Sequence, residues 1–418
     1  MQKLIKMITG YYLALLLFTA CQPASPPSLT PEERQALKQQ YAKKLEQYLK
    51  KSDDVYRHVY ITDSGITMIS PAFDDEPASV EFKLKWEDLE DFKKLAKDYP
   101  HEARDVYEGR VTLEETKILP PDTLQRIWTE DKPLAGLKIA LDPGHIGGDM
   151  IGAKMEGKFV EMKKENVAIY ESELNWYTAK FLKNKLEALG AHVLMTRDAH
   201  YLTALDMTYD EWYAQFDSLP KLRKQVAFFR FFKTLDNDAR IQKINHFEPD
   251  LTLIIHYNVD SKNPKWKKTT KRNNSMAFVG GSFMRNELYD TERRFNFLRL
   301  LLNEDINHSI TLASQMLEHL DTELGIKPIP PINEQRYLGA VCIPTKFPGV
   351  YARNLALSSR VYGTVCYMEP LYQDNEYEAK AFAKRDYEFE GRRISSRIVE
   401  VADTYLNGVL GFVRELEK

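Results

Sequence analysis

Leu137-Lys138-Ile139-Ala140-Leu141-Asp142-Pro143-Gly144-His145-Ile146-Gly147-Gly148 is a short apolar run that stops at a turn and then presents a histidine among glycines. Leu137 to Leu141 has the length and composition of a buried strand, and Asp142-Pro143-Gly144 is a turn signal placed directly after it. A histidine just past the carboxyl end of a strand stands where open α/β sheets place their ligand sites. Gly144, Gly147 and Gly148 let such a loop turn tightly and come close to a ligand.

Outward from this point strands and helices alternate. Leu174, Tyr177, Phe181, Leu182, Leu186 and Leu189 predict a helix over 171–189 that Gly190 ends, with a strand at 191–196. A helix near 236–246, a β-rich run at 250–256, a helix at 309–324 and a late strand at 361–368 continue the pattern. The alternation predicts an α/β fold, a sheet covered by helices on both faces. Two stretches interrupt it, an aromatic and basic one at 201–234 and an Arg- and Leu-rich one at 284–308. Both read as helical insertions. Their length beside the expected site suggests a lid, and extra packing helices are the plainer reading.

Upstream, residues 33–134 read as a small α+β module. Leu37, Tyr41, Leu45, Tyr48 and Leu49 recur at helical spacing, Asp63-Ser64-Gly65 is a hairpin signal, and Val80 to Trp86 alternates apolar and polar residues. No chemistry is legible in it, so a structural or docking role is its default. Before it, Lys3 and Lys6 precede an apolar stretch from Met7 to Phe18 that ends in Thr19-Ala20-Cys21. This reads as an export signal over residues 1–21. Small residues before a cysteine resemble the lipobox of bacterial lipoproteins, with Phe18 in place of the usual Leu. That reading places the protein in the cell envelope, tethered to a membrane through lipid on Cys21; a cleaved secretory signal or an uncleaved anchor is the alternative. Pro23, Pro26, Pro27 and Pro31 make 22–32 a stiff spacer. The catalytic region is then 135–418.

The formal net charge of −3, from 58 basic and 61 acidic side chains, supplies no global field toward nucleic acid, and no DNA or RNA partner is expected. Cys342 and Cys366 could pair in an oxidising compartment or stand as buried free thiols.

Three potential metal ligands fall where this sheet would present them. His145 follows the first strand, His256 ends Leu251-Thr252-Leu253-Ile254-Ile255, and Glu171 opens a helix with Asn175 four residues on, on the same face. A lone histidine is usually a surface or satisfied core residue, and an acid at a helix start can simply answer the helix dipole. Two histidines that both end apolar strands are harder to explain without function, because a buried imidazole is costly. Two imidazoles and a carboxylate leave a tetrahedral zinc ion one open position for water.

Here the sequence resembles the zinc-dependent N-acetylmuramoyl-L-alanine amidases. Asp142-Pro143-Gly144-His145-Ile146-Gly147-Gly148, Glu171-Ser172-Glu173-Leu174-Asn175 and His256-Tyr257-Asn258 follow the order and character of the family's motifs, and Val365-Cys366-Tyr367-Met368-Glu369 is similar to its late strand. The resemblance, over roughly residues 137–415, implies a mixed sheet with helices on both faces, of the phosphorylase/hydrolase-like kind. It implies zinc on His145, Glu171 and His256, and Glu369 as the catalytic acid and base. It implies Asn258 and Arg353 near substrate, peptidoglycan as substrate, and in some members an activator protein. Zinc would polarise the scissile carbonyl and bring its water to a pKa of about 7, and Glu369 would move the proton to the departing L-alanine nitrogen. Ile146 stands where the family has glycine, Pro370 follows Glu369 where a small or apolar residue is usual, and the run 149–170 is longer than usual, leaving Glu161 or Glu173 as alternative ligands. A zinc peptidase, a catalytically silent binding or regulatory protein, and an adhesion or scaffold role remain the competing readings.

Overall fold

The computed structural model describes residues 29–72, 77–118, 131–216, 223–260, 263, 268–330 and 336–416. The expected signal, Cys21 and most of the proline-rich spacer lie outside the described residues.

The chain enters through α1 (Pro31–Lys44), which Thr30 and Glu33 start with a reciprocal capping box. A wider π-type turn over Leu45–Leu49 follows. Strands β1 (Val59–Thr62), β2 (Gly65–Ser70) and β3 (Ser79–Lys85) form an antiparallel sheet in that order, backed by α2 (Leu89–Asp98) and α3 (Pro100–Tyr107). The expected α+β module is therefore present.

The second part is built on a seven-stranded mixed sheet. Its strands are β4 (Lys138–Pro143), β7 (His192–Met195), β8 (Leu251–Ile255), β9 (Met276–Val279), β10 (Ile343–Pro344), β11 (Val350–Ala352) and β12 (Thr364–Glu369). Their spatial order is β10-β11-β9-β12-β8-β4-β7. β7, β4, β8 and β12 run parallel, and β9 lies antiparallel against β12. The connections include α4 (Met150–Glu156), a hairpin of β5 (Phe159–Met162) and β6 (Val167–Tyr170), α5 (Glu171–Ala188), α6 (Tyr209–Ala214), α7 (Lys224–Ala227) and α8 (Lys233–Phe247). Later come α9 (Thr291–Leu302), α10 (Asp305–Leu324), α11 (Arg336–Val341), α12 (Ala356–Arg360), α13 (Glu376–Ala383), the hairpin β13 (Tyr387–Phe389) and β14 (Arg392–Ile394), and α14 (Ser396–Leu416).

The period of two along each strand sorts the core onto two faces. Ile139, Leu141, Leu253, Ile255, Cys366 and Met368 join the core that includes α5, α10 and α14. Ala140, Ile254 and Val365 pack instead with Ile241 and Ile244 of α8 and Leu357 of α12. Every residue of β8 is buried, as a central strand covered on both sides requires. Cys342 and Cys366 are both buried and free, each in a different apolar cluster.

The module and the sheet share one core. Tyr41, Phe92 and Tyr107 belong to the same apolar cluster as Phe295 of α9, Leu317 of α10 and Leu141 of β4. The carbonyls of Tyr48 and Leu49 accept the N–H groups of Ser282 and Phe283, both at 2.7 Å. The stretch expected as an insertion at 284–308 is thus largely α9, buried from Arg294 to Leu302 and packed against α1, α2 and β2. Arg294 reaches Glu81 of β3 at 3.0 Å. The other stretch, at 201–234, builds its own aromatic cluster of Tyr209, Trp212, Phe228 and Phe232 on the side chain of Ile146. Ile146, where the resembled family has glycine, is the apolar peg on which that segment sits. Among the described residues no helix is long and apolar enough to cross a membrane.

Candidate active site

Strand register assembles the site. Pro143 of β4 and Met368 of β12 are both partnered to Ile255 of β8, so three parallel strands end level with one another. The ladder continues one step further, with the Gly144 N–H donating to the Ile255 carbonyl at 2.9 Å and the His256 N–H to the Met368 carbonyl at 3.1 Å. His145, His256 and Glu369 therefore emerge together at one carboxyl edge. Glu171 arrives from the side as the first residue of α5, its N–H donating to the Lys158 carbonyl at 3.0 Å.

One potential ligand atom each from His145, Glu171 and His256 lies within 4.8 Å of the others. Glu171 Oε1 is 3.0 Å from His256 Nδ1 and 3.4 Å from His145 Nε2, and it accepts the Tyr257 N–H at 3.2 Å. The two imidazoles cross edge to face with centroids 4.5 Å apart, and Tyr367 stacks on His256 at 4.5 Å and 9°. Such close approach depends on Gly144, where an added Cβ would stand 2.1 Å from His256 Cε1. A cavity of about 190 Å³ opens on both imidazoles and Tyr367, and Glu156, Lys233 and Arg240 also line it. His145 keeps 16% of its side chain exposed against 5% for His256, so the site opens on the His145 side.

Burial drives the His145 pKa well below its ordinary value and keeps the ring neutral, with a lone pair free for a metal. Burial alone would raise Glu171; the His145 imidazole, the Lys158 ammonium and the hydrogen bond from His256 outweigh it and hold the carboxyl below the usual range. With His145 neutral, Lys158 and the donated hydrogen bonds are what remain. Glu369 is shifted the other way, pushed up to about 8 by burial and then by the negative charge of Glu171. Glu171 Oε2 and Glu369 Oε2 are both buried without a hydrogen-bond partner among the described residues.

The loop that carries His145 is gripped by two buried arginines. Arg240 of α8 donates to Asp236 at 2.7 Å, to Asp142 and to the Pro143 carbonyl at 3.1 Å, and to the His145 carbonyl. Arg197, fully buried, spends its guanidinium on the carbonyls of Pro143, Gly144, Ser172, His200 and Leu202 at 3.1–3.4 Å. Asn175 donates to the Gly144 carbonyl as well. Asn175 therefore holds the loop rather than facing the cavity.

The remaining expected residues fall as follows. Glu161 pairs with Lys154 at 2.8 Å and Glu173 with Arg385 at 3.4 Å, so neither alternative ligand belongs to the cluster. Asn258 is tied into the backbone, its Oδ1 accepting the Val259 N–H at 2.8 Å, and it does not line the cavity. Arg353 lies over the Phe278 ring and is close enough to Glu369 to lower its pKa against burial. Sequence reading missed Arg197, Arg240 and Glu156. The available signal was an Asp236/Arg240 pair at helical spacing on a face that also carries core residues.

Two imidazoles and two carboxyls of opposed protonation tendency stand together at the carboxyl edge of an α/β sheet beside a cavity, and His145, Glu171 and His256 could hold a metal ion. The family model described as N-acetylmuramoyl-L-alanine amidase matches residues 139–391, more than half of this 418-residue chain, and the chain belongs to that family. It is an amidase of peptidoglycan, which decides among the competing readings left open by the ligands alone. No curated protein sequence matches it. Among solved structures it is similar to Ami1, the N-acetylmuramyl-L-alanine amidase of Mycobacterium smegmatis, at 17% identity and a TM-score of 0.39 over 68% of this chain and 99% of that one. It is similar to the CwlD amidase of Clostridioides difficile, solved in complex with the GerS lipoprotein, at 13% identity and a TM-score of 0.40 over 67% and 100%. AmiC2 of Nostoc punctiforme is similar at 13% identity and a TM-score of 0.38 over 68% and 99%.

Arg240→Ala would leave Asp142 and Asp236 buried without their cation. Loss of one partner from a buried charge pair costs about 3–5 kcal/mol, and urea unfolding of the variant should read a loss of that size. A midpoint equal to the parent's would contradict the clamp.

Proposed function

We propose that this amidase cuts the bond between N-acetylmuramic acid and L-alanine with a zinc ion held by His145, Glu171 and His256, and with Glu369 moving the proton. The observation that carries the reading is the convergence of three ligand atoms within 4.8 Å. Leaving a buried acceptor without a hydrogen bond costs about 1–3 kcal/mol, and Glu171 Oε2, buried without one on the carboxylate whose other oxygen faces both imidazoles, suits a cation. Two nitrogens and one oxygen match zinc, and three protein ligands leave a position for substrate or water. When bound, zinc supplies a Lewis acid for the scissile carbonyl and acidifies water.

The chain's own residues then divide the work. Glu171 stays an anion and Glu369 a proton carrier, since two neighbouring carboxyls with diverging pKa values are how one site runs acid and base steps. Water adds to the lactyl carbonyl carbon as Glu369 accepts its proton. Glu369 then returns that proton to the alanine nitrogen as the C–N bond breaks, so the amine leaves neutral. Gly144 and Tyr367 fix the facing of the imidazoles, and the arginine clamp fixes the loop.

We further infer an envelope location with lipid on Cys21, supported by the charged and apolar start of the chain and by Thr19-Ala20-Cys21. Cys21→Ser should move the protein from the membrane fraction to the soluble one, and an unchanged partition would refute the anchor.

Purified sacculi digested by the enzyme should gain L-alanine amino termini. Glu369→Gln should retain zinc by metal analysis and lose at least 100-fold in rate, the lower end of a positioned acid–base group's contribution; His145→Ala should lose both. Parental turnover in the Gln variant would sink the assignment. In the chelator-treated protein Glu369 also predicts a pH dependence. Its carboxyl ionises near its ordinary 4.5 when unfolded and near 8 when folded, so its contribution to stability is intact below about pH 4.5 and is lost as pH rises to about 8. Thermal melts at pH 5 and pH 8 should differ less in Glu369→Gln than in the parent.

A further inference from the structure

We propose that Glu156, to which no role in the site has yet been given, is a positioning residue that holds His145 in one tautomer and one ring orientation; the proposal rests on the metal reading above. His145 has a carboxylate at each ring nitrogen. Nε2 faces Glu171 Oε1 at 3.4 Å, and Nδ1 lies 3.0 Å from Glu156 Oε1. A neutral imidazole has one N–H, and the nitrogen opposite it carries the lone pair. With Nδ1–H donated to Glu156, the Nε2 lone pair is turned to the cluster. A hydrogen bond from the far nitrogen of a ligating histidine to a carboxylate fixes the ring and raises its basicity.

The segment is built to deliver this carboxylate. Asp149 caps α4 through the N–H groups of Ile151 and Gly152 at 2.9 and 3.0 Å, and Gly157 ends it in the left-handed region at φ 80°. Glu156 is thereby set at the last helical position with only 5% of its side chain exposed. Its second oxygen accepts the Ile146 N–H at 3.4 Å, which ties it to the peptide that follows His145. Past Gly157, Lys158 receives the N–H of Glu171 and the β5–β6 hairpin returns the chain to that ligand. The run from 149 to 170 braces both His145 and Glu171, which accounts for its length.

The test uses the full chain, with zinc as the probe. Glu156→Ala should bind zinc roughly 10–100-fold more weakly in competition with a chromophoric chelator, while Glu156→Gln, whose amide oxygen still accepts the Nδ1–H, should recover most of the affinity. Parental affinity in the Ala variant overturns the proposal, and so does a Gln variant as weak as Ala. The second readout is the ¹⁵N signal of His145 in metal-free protein with labelled histidine. The parent should show Nδ1–H and a bare Nε2, and the Ala variant a mixture; the opposite tautomer in the parent overturns the proposal. Because this readout needs no metal, it decides the role of Glu156 even if the parent binds no zinc, an outcome that would remove the metal reading alone. Should Glu156→Ala fail to fold, Glu156→Gln and the parental tautomer carry the decision.

Discussion

The structure depends on how buried positive charge is used around the loop from Asp142 to His145. Arg197 and Arg240 are each taken almost wholly out of water, and the chain repays that desolvation with carbonyl oxygens and two aspartates. Among the carbonyls are those of Pro143, Gly144 and His145, the residues whose backbone must turn sharply at the end of β4. A glycine-bearing loop held only by its own turn would wander among conformations. Fastened from both sides, it has one, and the His145 ring inherits its position from that fastening.

The sheet contributes the other half of the precision. Three parallel strands ending in register convert distant parts of the sequence into neighbours without relying on any flexible connection. Sites supported by strand ends and helix starts are more exact than sites carried on loops alone. The electrostatic outcome follows from the same packing. Glu171 lies within reach of donors and a cation and stays ionised, while Glu369 is buried next to that anion with its Oε2 lacking a hydrogen-bond partner among the described residues. Acid and base behaviour thus comes from placement, since the two side chains are chemically identical.

The strands, the main helices and the converging residues were legible because each leaves a local pattern. β4 and β8 are apolar runs that stop at a histidine, and α5 is periodic from Glu171 to its terminal glycine. Other features had no local pattern to read. Asp142 and Arg240 are 98 residues apart, so nothing near either announces the pair. β10 and β11 span two and three residues, too few to display a period. The hairpin of β5 and β6 lies in the run 149–170, which reads only as longer than usual, and Glu156 lies there with it. The stretch at 284–308, which reads as a lid or as extra packing helices, carries α9 in the core, where Arg294 and Arg299 are buried with acidic partners, Glu81 and Asp305, on other elements.

Gly144 has a consequence for how the enzyme tolerates change. Its contribution is an absence, the missing methyl group that lets one imidazole edge slide over the neighbouring backbone. Nothing about its chemistry would nominate it in a search for reactive groups. Yet the space it leaves is already filled by the ring of His256, so even alanine, the smallest replacement, would have to move that imidazole. A position closed to variation in this centre is thus one with no side chain to vary.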